Sequence, residues 1–244
     1  MLSGPPLTGT LPADQLLDRF LSGTSRQRRS LVDQLQRRRQ ELLPLLIGRL
    51  ENLDCNGDDW GGGFLVQMLL NAGAEPFEAT LLRRYPAGWL TTGSEAGIDF
   101  GPLQNHLMRQ TYQEADRLTS HYLRQLAGPA AEQRGYVYYS EVAAMPALDL
   151  DSIDRLWVCY SQGRFGFSIQ ARLLSLCQGR WEQLWPRLGW KQDGVWTRYP
   201  QAFTWSLEAP DGHMPLINQL RGVRLMDALL NHPAIRSRGK AATG

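Results

Sequence analysis

DSIDRLWVCYSQGRFGFSIQ, residues 151–170, is the stretch whose reading decides the fold. Ile153, Leu156, Trp157 and Tyr160 recur at i, i+3, i+4 and i+7, the spacing of one buried helix face. Asp151 and Asp154 are then expected in the first turn, where the positive end of the helix dipole favours carboxylates. Gly163 and Gly166 bracket Arg164 and Phe165, so the chain can turn with dihedrals that other residues avoid. A second amphipathic run opens around Ser168. Two helices joined by a glycine-flanked turn are predicted, and the two phenylalanines suit either a core plug or a shaped aromatic site.

Working toward the N-terminus, the apolar runs Leu16–Leu21, Leu31–Leu35, Leu42–Leu50, Phe64–Leu70 and Leu81–Leu82 have helical spacing or length, with Gly and Pro between them. A small antiparallel bundle over residues 1–95 follows. Its basic cluster, Arg26, Arg28, Arg29, Arg37, Arg38 and Arg39, falls opposite the apolar stripe and reads as a solvated face. Residues 91–102, TTGSEAGIDFGP, are small and unpatterned, as expected of a join between domains. Thr111 with Glu114 fits a capping box before the helical face Ala115, Leu118, Tyr122 and Leu126, which Gly128 and Pro129 stop.

Toward the C-terminus, the alternation of Tyr136, Tyr138 and Tyr139 within residues 135–145 hints at a strand, but Ser-Glu-Val-Ala-Ala before Pro146 favours a short helix, and another short helix is read in the run through Trp181, Leu184, Trp185 and Leu188. From 190 to 215 the periodicity disappears: five Gly and Pro residues interleave with Trp196, Tyr199, Phe203 and Trp205. A long aromatic loop is more than a connection and folds back over something flat. Helical character resumes over Leu216–Leu230, and a flexible basic tail is expected over 236–244.

Bulk properties exclude several classes. A net charge of +2 does not suggest a polyanion binder, although 24 of the 26 basic residues are arginine, leaving Lys191 and Lys240. No apolar run reaches membrane-spanning length, and MLSGPPLTGTLPADQ lacks the charged start and apolar stretch of a secretory signal. Cys55, Cys159 and Cys177 form neither a disulfide framework nor a zinc motif. Six of eight tryptophans lie between Trp157 and Trp205, a clustering that calls for a large core or a flat ligand.

LWVCYSQGRFGFSIQ, preceded by DLDSID and followed by WEQLWPRLGW, TRYP, FTW, GHMPLINQLRG and NHPA, resembles the genomes-uncoupled-four family. The likeness runs from about Leu103 to Ile235. It implies an all-α protein in which an all-helical, cupped core over 102–235 binds tetrapyrroles. It further implies binding of protoporphyrin IX and magnesium protoporphyrin IX, and activation of magnesium chelatase through that enzyme's large porphyrin-binding subunit. The location would be cytoplasmic or plastid-stroma-like, with peripheral association to photosynthetic membranes. No obligatory cofactor follows.

A porphyrin is an apolar disc with two carboxylates at one edge, so it needs aromatic walls and a cationic rim. Carried over by the resemblance, the walls are Phe165 and Phe167, with Trp196, Tyr199, Phe203 and Trp205 from the loop. Arg221 and Arg224, three apart, would each grip a propionate. His213 reads as a loop hydrogen-bonding residue, and no metal ligand is assigned. No catalytic motif is present, and Asp149, Asp151 and Asp154 are accounted for by capping and dipole, so the chain is read as a non-catalytic activator. Two other readings use the same residues: a general sensor or sink for haem or bilins, and an arginine-rich helical adaptor for nucleic acid or protein.

Overall fold

The apolar spacing at 153–160 does form a helix, α9 (Ala147–Cys159), and other elements are built against it. A computed structural model describes residues 11–71, 75–217 and 223–241. Among these are thirteen α-helices, one 3-10 helix and one two-stranded hairpin. Ile153, Leu156, Trp157 and Tyr160 are fully buried. The polar atoms of this stripe are satisfied rather than stranded: Trp157 Nε1 donates to Thr119 Oγ1 at 2.9 Å, and Tyr160 Oη to Gln104 Oε1 at 2.7 Å.

The N-terminal part comprises α1 (Ala13–Ser22), α2 (Ser25–Arg37), α3 (Arg39–Leu50), α4 (Trp60–Leu70) and α5 (Glu75–Arg84). Every residue of α4 is buried, because it packs on α3 and α5 on one side and on α6 (Gly101–Met108) and α9 on the other. Gly63 allows the approach to α9, since a Cβ there would lie 2.3 Å from the Cys159 carbonyl oxygen, and Gly62 makes room for the Trp89 ring. Gln67 of α4 donates to the carbonyls of Tyr160 (2.8 Å) and Leu107 (3.2 Å), satisfying acceptors at the buried C-terminal ends of α9 and α6. Arg28 departs from the expected solvated face. It is buried between Phe20 and Trp60, donates to the Phe20 carbonyl at 2.9 Å and pairs with Asp59.

The acidic cluster also differs from its expected role. The helix starts at Ala147, so Asp151 and Asp154 lie beyond its first turn. Asp149 accepts from Ser94 Oγ and from the Glu95 amide at 2.8 Å, tying the 91–100 join to α9. Asp154 accepts the Ser168 amide at 2.9 Å at the start of α10 (Phe167–Leu176) and Arg238 Nε at 2.7 Å. Arg238 belongs to α13 (Pro233–Ala241), so the expected flexible tail is helical through Ala241 and anchored at Arg238. Residues 242–244 lie outside the described residues. Thr111 precedes α7 (Tyr112–Ala127) without the expected box; its hydroxyl donates to the His106 carbonyl instead.

The remaining elements are α8 (Pro129–Arg134), a 3-10 helix (Tyr139–Ala144), α11 (Trp181–Leu188), β1 (Lys191–Gln192), β2 (Val195–Trp196) and α12 (Arg224–Asn231). The strands pair Lys191 with Trp196 and Gln192 with Val195 across Asp193-Gly194, both at positive φ, the two-residue hairpin turn that favours Asp-Gly.

Candidate functional site

Asp116, Ser120, Leu123 and Arg124 lie on one face of α7 by their spacing, with Arg117 beside them, and they form one wall of a cavity of about 880 Å³. That volume lies in the range of pockets that bury most of a small-molecule ligand. The opposite wall comes from Trp190, the hairpin and the loop after it, through Trp196, Thr197, Arg198, Tyr199 and Phe203. The α8 exit supplies Gly135–Val137, and Leu216, Ile217 and Leu225 complete the lining. The surface is apolar and aromatic with three guanidinium groups, Arg117, Arg124 and Arg198.

The aromatic wall is stiff for identifiable reasons. Trp181 stacks on Trp185 (centroids 5.2 Å) and Trp185 on Trp190 (5.9 Å, planes 10° apart), with Trp196 tilted against Trp185 at 5.5 Å. Trp190 Nε1 donates to the His213 carbonyl at 2.8 Å. The loop is also gripped from below. Arg164 donates to Asp211 Oδ1 (2.7 Å), to the Ala209 carbonyl (2.9 Å) and to the Leu207 carbonyl, while Gln170 donates to the carbonyls of Gly212 (2.9 Å) and Pro215 (2.8 Å).

Of the residues expected at the site, Trp196, Tyr199 and Phe203 are brought together on this wall. Trp205 is behind it, stacked on Phe203 at 5.5 Å and donating to the Pro200 carbonyl at 3.0 Å. Phe165 and Phe167 differ from their expected placement on the wall: both are fully buried, and Phe165 meets Tyr112 edge-on at 5.6 Å. An uncharged ring gains more from complete burial than from a half-wet rim, and the glycine-flanked turn contributes through Arg164 instead. Arg224 opens α12 next to the lining residue Leu225, exposed and 5.5 Å from the Tyr139 ring. Arg221 lies outside the described residues. His213 is buried against Phe203 (4.7 Å), and its Nδ1 lies 2.6 Å from the Leu188 carbonyl, so Nδ1 carries the proton. Burial holds its pKa below the ordinary histidine value, partly opposed by that bond.

Sequence reasoning missed Asp116, Arg117, Arg124, Arg198 and Trp190. Asp116, Arg117 and Arg124 share the α7 flank beside its apolar stripe, which is the signal that points to them; Arg198 and Trp190 carry no such periodic signal. Asp116 is the most unusual of them. It is 1% exposed, accepts the Leu216 amide at 2.7 Å on Oδ1 and the Tyr199 hydroxyl at 3.1 Å on Oδ2, and so joins the two sides of the cavity. Burial pushes its carboxyl up to about 6, against the lowering effect of those two donors; the same environment lifts Tyr199 to about 12.

A carboxyl whose folded pKa exceeds its unfolded value weakens the fold when ionised. Stability therefore falls as pH rises from about 4 through 6 and stays lower above that. Asp116→Asn is expected to raise unfolding free energy at pH 7.5 by on the order of 2 kcal/mol, a gain that disappears toward pH 4. Urea unfolding of both proteins across that range measures this; a difference that does not change with pH would contradict it.

Residues 93–233 match the family described as GUN4-like. The chain belongs to the GUN4-like family. Its relatives include the Ycf53-like protein of Synechocystis, 47% identical over 171 residues, covering 70% of this chain and 73% of that one. The chloroplastic tetrapyrrole-binding protein of Arabidopsis thaliana is 37% identical over 149 residues, 57% of this chain and 56% of that one. Among solved structures, GUN4 from Chlamydomonas reinhardtii aligns with a TM-score of 0.57 at 36% identity, over 60% of this chain and 93% of that one. Ligand-free Arabidopsis GUN4 gives 0.53 at 38% identity, over 57% and 99%. The GUN4-like segment contains every residue that lines the cavity.

Proposed function

We propose that the chain binds protoporphyrin IX and magnesium protoporphyrin IX in the cavity between α7 and the aromatic loop, and activates magnesium chelatase without catalysing a reaction itself. The observation that carries this reading is the cavity: aromatic walls from Trp190, Trp196, Tyr199 and Phe203 face aliphatic Leu123, Val137 and Leu225, with Arg117, Arg124 and Arg198 among them. Covering ~400 Å² of macrocycle contributes about 10 kcal/mol before association and ordering costs, enough for micromolar affinity or better. The guanidinium groups suit the propionates, each by a charge-assisted bond. Arg224 belongs to the same rim in this reading, which its position beside Leu225 supports; Arg221 is proposed as a second propionate partner from the sequence alone.

The wider role rests on family membership. The large porphyrin-binding subunit of magnesium chelatase is the proposed partner, in a cytoplasmic or plastid-stroma-like compartment. Any membrane association is proposed as peripheral; among the described residues no helix is long and apolar enough to cross a bilayer. Residues 1–95 are proposed as an accessory bundle on the core, a division that the family match beginning at residue 93 supports.

Titration with protoporphyrin IX and its magnesium form is expected to saturate at one ligand per chain and to quench tryptophan emission, because Trp190 and Trp196 line the cavity. Arg117→Ala with Arg124→Ala should weaken binding ~10- to 100-fold, the loss of one or two charge-assisted bonds. Unchanged affinity in that variant would remove those arginines from the rim. No saturation would sink the tetrapyrrole reading. Parallel titrations with haem and a bilin separate a chelatase activator from a general tetrapyrrole sensor.

A further inference from the structure

Asp116 is a poor residue for simple affinity. It places a carboxylate in the wall of an apolar cavity whose proposed ligand is itself a dicarboxylate, and its bonded partners are two neutral donors, the Tyr199 hydroxyl and the Leu216 amide. No ion pair to it exists among the described residues. The charged and titratable groups around it come from several elements. On α7 these are Glu114, Arg117 and Arg124; Arg198 and Tyr199 come from the loop, and Tyr136 from the α8 exit. The 216–217 segment offers no titratable side chain. Arg117 lies 3.2 Å from Glu114 rather than pairing with Asp116.

We propose that Asp116 makes ligand binding proton-linked and reversible: seating the macrocycle draws a proton onto this carboxylate, and its ionisation favours release. This deepens the tetrapyrrole reading of the cavity and rests on it. Two physical effects act in the same direction. The macrocycle excludes the water that reaches the wall, and its propionates bring negative charge toward a carboxylate that no ion pair among the described residues offsets. The bound carboxyl thus holds its proton to higher pH than the free one, which burial already pushes up to about 6. The sign follows from linkage. Affinity is constant below the free value, falls by up to about tenfold per pH unit between the free and bound values, and is constant again above.

The test is calorimetric titration of the full chain with magnesium protoporphyrin IX at pH 6.5, 7.5 and 8.5, each in phosphate and in Tris, whose ionisation heats differ. The expected result is net proton uptake at pH 7.5, affinity that declines from 6.5 to 8.5, and loss of both in Asp116→Asn. That variant should bind at pH 8.5 about tenfold or more tightly than the unaltered chain. Tyr199→Phe removes one donor to the ionised form, so the decline should begin at higher pH; this holds the test open if Asp116→Asn does not fold. Saturable binding with no proton uptake, or with the same uptake in Asp116→Asn, overturns the proposal and leaves the site reading intact. No saturable binding by the unaltered chain overturns both.

Discussion

Replacing Arg238 with alanine is expected to lower the unfolding free energy by about 3–5 kcal/mol, the range for removing one partner of a buried ion pair. Asp154 is 0% exposed, with one oxygen on the Ser168 amide and the other on Arg238 Nε at 2.7 Å. Burial disfavours the charged guanidinium, yet Asp154, Asp58 and Asp151 together raise its pKa above the ordinary arginine value. Truncation strands the Asp154 carboxylate in the core. The contacts to Asp58 (2.8 Å) and Asp151 (3.1 Å) have exposed or half-buried partners and contribute less. Urea unfolding checks the loss, and adding Asp154→Asn to Arg238→Ala should recover part of it. A loss below about 1 kcal/mol would mean that water reaches Asp154 freely.

The second large effect is expected from adding a single methyl group. Gly63→Ala places a Cβ 2.3 Å from the Cys159 carbonyl oxygen and 2.8 Å from its Sγ, so α4 and α9 must separate. A destabilisation of about 3 kcal/mol follows, the upper end of overpacking, because the obstacle is backbone and cannot rotate away. Gly48→Ala is the control: nothing lies within 4 Å, and the better helix propensity of alanine should stabilise by about 0.5–1 kcal/mol. Hydrogen exchange should show protection lost first in α4 and its neighbours. Equal effects at the two glycines would argue against a tight α4–α9 contact.

Most of the architecture was legible in the sequence because helical stripes repeat locally. Ile153, Leu156, Trp157 and Tyr160 announce α9 by spacing, and Leu16, Leu17 and Phe20 announce α1. Polar contacts distant in sequence were not legible. Arg28 reads as a surface charge until Asp59, 31 residues away, pairs with it at the edge of the core, and Arg238 reads as tail until the buried Asp154 receives it. At the cavity, the clustering of Trp196, Tyr199 and Phe203 in one loop was informative because breakers and rings alternate there. Phe165 and Phe167 were misleading: a ring beside glycines looks the same in sequence whether it faces a ligand or Tyr112. Asp193-Gly194 was a hairpin signal that the absence of flanking periodicity concealed.

The grip of Arg164 and Gln170 on the aromatic loop has one more implication. Apart from Asp211, what they hold is main chain: the carbonyls of Leu207, Ala209, Gly212 and Pro215. A carbonyl is offered by every residue type, so the bonds themselves read no side chain; only Gly212, at φ +75° and with space for a Cβ closed by Leu188 and Leu173, is held to one residue type. The loop is in that respect an exchangeable cassette. Its cavity-facing rings can be redrawn for a differently shaped pigment, by natural drift or by design, while the clamp beneath continues to set where the wall stands.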